Sequence, residues 1–397
     1  MENIKLSLMV IRQHFLLFVI VAFTFLSAPL RVYFPTSAIL EIIMLGLLFY
    51  QKKDVNGKKL ISSNVLLVIA FYFLYFFATV LFTYKDDGSG FVNENYRFLV
   101  FLLLIYILGN SKIDIVILTK FCLWCCRIHV FFTLFELVYL TILSPGDFYG
   151  VPLVGKAMPE IEETSGYLLE NDNLLSFGYR PFGLMLQPQK TGFVFVLGAV
   201  LEYVLAVADK KKPSLIWNIL FVIISVLQGA KTAFLVLFAI EAAIFLNFYP
   251  SKKMNKSTIA FYTICAIVLV YIGVKNITLT NIGNDTNLLI YNEVKAFFRL
   301  PISNILLGNG VPNIKEIVIL GGAGESFFMR ILYNFGLPLT VFLLGFMAKY
   351  YLNRSRKSNY IIVFLFFGMV YHYCVINVYF IDLAFAACIC LALKITK

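Results

Sequence analysis

Long apolar runs alternate with short polar breaks from one end of the chain to the other. A helix needs about 20 apolar residues to cross a bilayer. By that measure the runs fall at roughly 10–29, 36–50, 60–82, 95–109, 121–143, 190–208, 214–230, 231–249, 257–274, 327–348, 360–376 and 378–394. The pattern predicts an all-α fold: a polytopic bundle of about twelve transmembrane helices, forming one membrane domain over 1–397. The stretch 113–143 has room for a single long tilted helix. The first run has no small-residue cleavage site, so it is expected to remain as a helix and not to leave as a signal peptide. No convincing internal repeat is visible.

Composition sharpens this expectation. The chain is 60% hydrophobic and only 14% charged, whereas a soluble domain carries about 25% charged residues. A soluble core has no room for that much apolar surface, so lipid is expected to be its solvent. The net charge of +11 does not point to nucleic acid, because no basic stripe with interleaved aromatics is present. Lys and Arg instead cluster in the polar breaks, the pattern that orients membrane helices. With the N-terminus in the cytoplasm, 20 of the 33 basic residues fall at cytoplasmic ends and loops. They include Lys52, Lys53, Lys58 and Lys59, Lys112 and Lys120, and Lys210 to Lys212. Both termini are then cytoplasmic. Most outer loops are tight, but two are long, at about 144–189 and 275–326; long ordered loops usually carry function.

Arg180, Lys190, Lys231 and Arg299 fall on the outer face under this topology. They run against the positive-inside bias and need partners. A diphosphate is one, since Arg offers phosphate oxygens a fork of donors and Lys a point charge. Acidic loop residues or anionic lipid are the others. Lys231 stands on the tight turn Gln228-Gly-Ala-Lys231. Glu325 follows the glycine run 321–324 at the start of a helix. There a carboxylate either accepts a proton from a sugar hydroxyl or caps the helix. Other features carry less. His14, His129 and His372 are scattered and have no metal-binding spacing. The seven cysteines lie inside apolar runs and read as small buried residues; the Cys122 and Cys125 pair is included in that reading. The acidic run 160–172 reads as a solvated face, and Asn276-Ile-Thr278 is a short, uninformative glycosylation match. No metal or cofactor is expected.

Three pieces together resemble the bacterial O-antigen polymerase and O-antigen ligase superfamily. The first is Arg180-Pro-Phe-Gly183 with Pro188 and Gly192, similar to an Arg-x-x-Gly…Pro segment. The second is Gly229-Ala-Lys231-Thr232-Ala233, where the family often has Ser-Arg-Thr-Ala. The third is Leu307-Gly308-Asn-Gly310, then Glu325-Ser326 and Asn334-Phe-Gly336-Leu337, similar to a Gly-x-Gly…His-Asn…Gly-Leu block. Polymerases of the family can carry Arg-x10-Gly in two outer loops. Arg299 to Gly310 fits that spacing, and Arg180 to Gly192 misses it by one residue. Lys231 replaces the usual Arg. Glu325 stands where ligases have His, which favours polymerase over ligase.

The resemblance implies a substrate and a division of roles. The substrate would be glycans on undecaprenyl diphosphate, polymerised at the periplasmic face of the inner membrane without nucleotide or metal. Arg180, Lys231 and Arg299, with Lys190 nearby, would bind the diphosphate, and Glu325 would orient or deprotonate the acceptor hydroxyl. Gly183, Gly192, Gly308 and Gly310 would be structural. Membrane lipid and a chain-length regulator are the implied partners. An O-antigen ligase, a lipid-linked oligosaccharide flippase or other transporter, and a non-catalytic scaffold are the alternatives. A transporter would be expected to place charge at mid-membrane; Glu136, Glu202, Glu241 and Asp382 are the chief cases here.

Overall fold

The computed structural model describes residues 2–30, 74, 100–101, 103–109, 113–159, 179–228, 233, 236–238, 240–241, 295–308, 332–333, 335–342 and 379–395. Among these residues the regular structure is helical, with no strand. The helices are α1 (Glu2–Phe25), α2 (Ser27–Leu30), α3 (Ile115–Val138), α4 (Pro188–Ala208), α5 (Leu215–Gln228), α6 (Ile302–Leu307) and α7 (Tyr379–Ile395). A π-helical turn, Tyr139–Leu143, continues α3. Expected spans 36–50, 257–274 and 360–376 lie outside the described residues. Those at 60–82, 95–109, 231–249 and 327–348 are described only at the positions given above.

The ends of the helices follow from local chemistry. Asp114 caps α3, its carboxylate accepting from the Val116 and Ile117 N–H groups at 3.0 and 3.2 Å; such a cap satisfies donors that the first turn leaves open. Pro188 opens α4 at a position where a missing N–H costs nothing. Inside the apolar stretches, hydroxyls bond back to the preceding turn: Thr119 to the Ile115 carbonyl, Thr133 to His129 and Thr141 to Leu137. That habit removes a polar group from an apolar environment.

Helix α3 and its π turn form one 29-residue helical stretch, about 43 Å long at 1.5 Å per residue. Ile115–Leu143 and Lys190–Ala208 are both long and apolar enough to cross a membrane; α1, α5 and α7 hold shorter apolar stretches. Three contacts fix α3 against α4. Lys120 reaches Asp209 at 3.4 Å, Arg127 reaches Glu202 at 2.7 Å, and Glu136 reaches the backbone just before α4. As α3 ascends, α4 descends, so the two helices are antiparallel. Helix α5 turns back again: Ser214, just before it, bonds Glu202, and Gln228 at its end bonds Pro188 at the start of α4.

Helix α7 is buried from Phe380 to Ala392 and packs against α1, α3 and α4. Small residues let the helices approach closely, as expected where dispersion and not water exclusion drives packing. A Cβ on Gly198 of α4 would come within 2.5 Å of the Phe221 ring of α5. The outward face of α3 carries Trp124, Ile128, Phe131, Phe135, Val138 and Ile142, all exposed. Its inward face carries Thr119, His129, Thr133 and Glu136, all buried. Past the exposed Lys120 near its start, these buried polar groups point inward and the largest apolar groups outward, the reverse of a water-facing helix.

Candidate functional site

The end of α3 marked by the π turn carries a compact structure built from both described parts of the first long loop. Residues 144–158 fold over it and bury Phe148, Val151, Val154 and Met158 against Leu140, Phe182 and Leu186. The Tyr139 hydroxyl meets the Asp147 carboxylate at 3.3 Å, and Asp147 also accepts the Gly150 N–H at 3.0 Å. Beneath lies the segment 179–187, which contains Arg180-Pro-Phe-Gly183. It is not a loose loop, for residues 181–186 are all buried.

Four side chains set the path of this segment. Phe182 is in the right-handed region, and Gly183 is left-handed at φ +62°. Successive residues in those two conformations turn their N–H groups into one concavity that holds an anion. The anion is Glu136. Its two carboxylate oxygens accept the Phe182 and Gly183 N–H groups at 2.8 and 2.7 Å. The Thr191 hydroxyl donates to the Phe182 carbonyl. The Gln228 amide donates to the Pro188 carbonyl at 2.6 Å and reaches the Pro181 carbonyl at 3.4 Å. His129 supports the segment by shape: its ring is fully buried between Phe25 and Phe195. A Cβ on residue 183 would lie 2.6 Å from the Thr191 hydroxyl and 2.7 Å from the His129 ring. Only glycine suits both the backbone angle and the space.

The other predicted residues are distributed as follows. Arg180 is half-buried and stands immediately before the clamped turn. Lys190 is half-buried in the first turn of α4, where its ammonium adds to the positive end of the helix dipole. Gly192 is buried in the same helix. Arg299 is exposed in the turn before α6. Gly308 ends α6 at φ +83°. It lies against Gly336, whose added Cβ would meet the Leu306 carbonyl at 2.3 Å and the Gly308 nitrogen at 2.8 Å. Two distant parts of the third motif are thus neighbours, held by Phe297 packing on Leu332 and Tyr333. Lys231, Gly310 and Glu325 lie outside the described residues, as does the acidic run 160–172.

The carboxylates were undervalued in sequence. Glu136 and Glu202 read there only as scattered mid-membrane charge, yet each has a defined partner. Arg127 was not singled out at all. Its guanidinium pairs with Glu202 and lies 4.7 Å from the Trp217 ring centre and 5.5 Å from that of Trp124. The available signal was chemical, because an ionisable residue inside an apolar helix needs a partner. Cys122, Cys125, Cys126, Cys388 and Cys390 are all free and buried, in keeping with their reading as small core residues. No protein-family model matches the sequence, and no curated protein matches it either.

Proposed function

We propose that the chain is a multi-pass bacterial inner-membrane enzyme of about twelve helices, with cytoplasmic ends and a periplasmic active face. In this reading it is an O-antigen polymerase acting on oligosaccharide repeat units carried by undecaprenyl diphosphate. The observation that carries the reading is Arg180, fixed by a buried clamp at one end of two helices long and apolar enough to cross a membrane. The outward apolar and inward polar faces of α3 support the bilayer as solvent.

The reaction is glycosyl transfer. A hydroxyl of the incoming lipid-linked unit attacks the anomeric carbon of the growing chain, whose bond to the carrier diphosphate breaks. Glu325 takes the hydroxyl proton, and the diphosphate leaves with the bonding electrons. Arg180, Lys231 and Arg299 stabilise the charge that develops there, with Lys190 close in sequence to Arg180; such electrostatic help is usually the largest single contribution. Membrane lipid and a chain-length regulator are the proposed partners.

A lipid-linked-oligosaccharide transporter is the second reading, favoured by the part-buried Arg127–Glu202 pair between apolar helices. Deleting the chain in its native strain and running surface lipopolysaccharide on a gel separates the readings. Core bearing one repeat unit, without a ladder, is the polymerase result. Bare core with glycan still lipid-linked at the outer face indicates a ligase. Glycan held on the inner face indicates a transporter, and an unchanged ladder sinks all three.

A further inference from the structure

We propose that Glu136 is the positioning residue of this site: it acts through the Phe182 and Gly183 N–H groups to fix the backbone that carries Arg180. The inference rests on the reading of Arg180 as a diphosphate ligand. It goes further by assigning the work to a carboxylate that never meets substrate.

The geometry is specific. Glu136 is fully buried, and each oxygen accepts one of two consecutive N–H groups. The turn that presents them requires φ +62° at Gly183. Arg180 is only two residues upstream of Phe182, so a rotation of this turn moves the Arg180 backbone directly. Placement matters at this scale, since a misplacement of about 1 Å in a reacting site can cost about a hundredfold in rate. Glu136 also sits in the last turn of α3, next to the π turn at Tyr139–Leu143; π insertions are frequent at functional sites. Glutamine keeps the size of the side chain but has one acceptor oxygen. Its NH2 would face a backbone N–H, donor against donor.

The test uses the full-length chain purified in lipid nanodiscs. Its probe is repeat units extracted on their polyprenyl-diphosphate carrier from a strain lacking the chain. Glu136→Gln is expected to lower kcat at least tenfold with KM within twofold, with the chain still folded and its thermal midpoint lowered by only a few degrees. In an Arg180→Ala background the same change is expected to cost less than threefold, because the residue it positions is gone; such non-additivity marks residues acting as one unit. If Glu136→Gln does not accumulate, Thr191→Val removes a second bond to the same turn and is held to the same two criteria. Full activity, or an equal loss with and without Arg180, overturns the inference. Full activity of Arg180→Ala alone overturns the functional reading beneath it, which is a separate result.

Discussion

Two buried carboxylates lie toward opposite ends of the α3–α4 pair, and they do different work. Glu202 of α4 takes the guanidinium of Arg127 on one oxygen and the Ser214 N–H on the other. It joins α3 to α4 through an ion pair and holds the residue just before α5 through a hydrogen bond. Glu136 of α3 takes two N–H groups from a loop and meets no cation in those bonds. The first arrangement couples helix to helix, so its loss is a loss of fold. The second couples a helix to a loop that carries a candidate ligand, so its loss is a loss of geometry. A buried acid is therefore informative only once its partner is known.

The largest expected effect lies at the ion pair. Arg127→Ala or Glu202→Ala leaves an uncompensated charge in a largely enclosed site, and each should destabilise by up to about 3–5 kcal/mol. Thermal unfolding in detergent should show this as a large drop in midpoint, with lipopolysaccharide falling only as the chain level falls. Replacing both partners with apolar residues, Arg127→Met with Glu202→Leu, should recover most of the loss. Recovery of function by that double variant would also weigh against a transporter in which the pair moves charge.

Arg180→Ala comes next and behaves in the opposite way. Stability should hold while polymer formation falls about a hundredfold, corresponding to about 3 kcal/mol of lost transition-state stabilisation. Ladder length at matched chain level reads this directly. Gly183→Ala is intermediate in kind. The left-handed backbone alone costs about 1–2 kcal/mol, and the new methyl must displace Thr191 or His129. Both ladder and thermal midpoint should fall, by less than in the variants above. Lys120→Ala should do least. Its bridge to Asp209 is on the surface, with side chains 48% and 36% exposed, and such pairs contribute about 0–1 kcal/mol. A midpoint within a degree or two of the parent is expected, and a large drop would place this end of α3 in a less polar setting than its exposure indicates.

Much of the helical frame was legible before the fold. Runs at 190–208, 214–230 and 378–394 became Pro188–Ala208, Leu215–Gln228 and Tyr379–Ile395. Polar breaks at Lys210 to Lys212 and at Pro188 bound the first two runs, so the ends at Pro188, Ala208 and Leu215 could be placed within about two residues. The long helix allowed for at 113–143 exists because Asp114 caps one end and nothing breaks the pattern before Ser144. The first helix starts earlier than its apolar run, at Glu2 and not near residue 10. Apolar content marks where a helix is buried, not where its hydrogen bonding begins. The candidate site was legible in part. Arg180 and Gly183 stood out from the motif and from the cost of an outer-face cation, but Glu136, Thr191 and Gln228 did not. Their partners lie up to 47 residues away, and no local period encodes such a distance.

By itself, the sequence determined the described helices at 113–143, 188–208, 215–228 and 379–395, because their apolar runs depend on residues within a few turns of one another. It also marked the glycine at 183, though not the reason for it. Only the tertiary structure decided which buried acid serves a cation and which serves a backbone turn. A carboxylate removed from solvent takes whatever donors the packing brings within about 3 Å, and packing is a property of several distant segments at once.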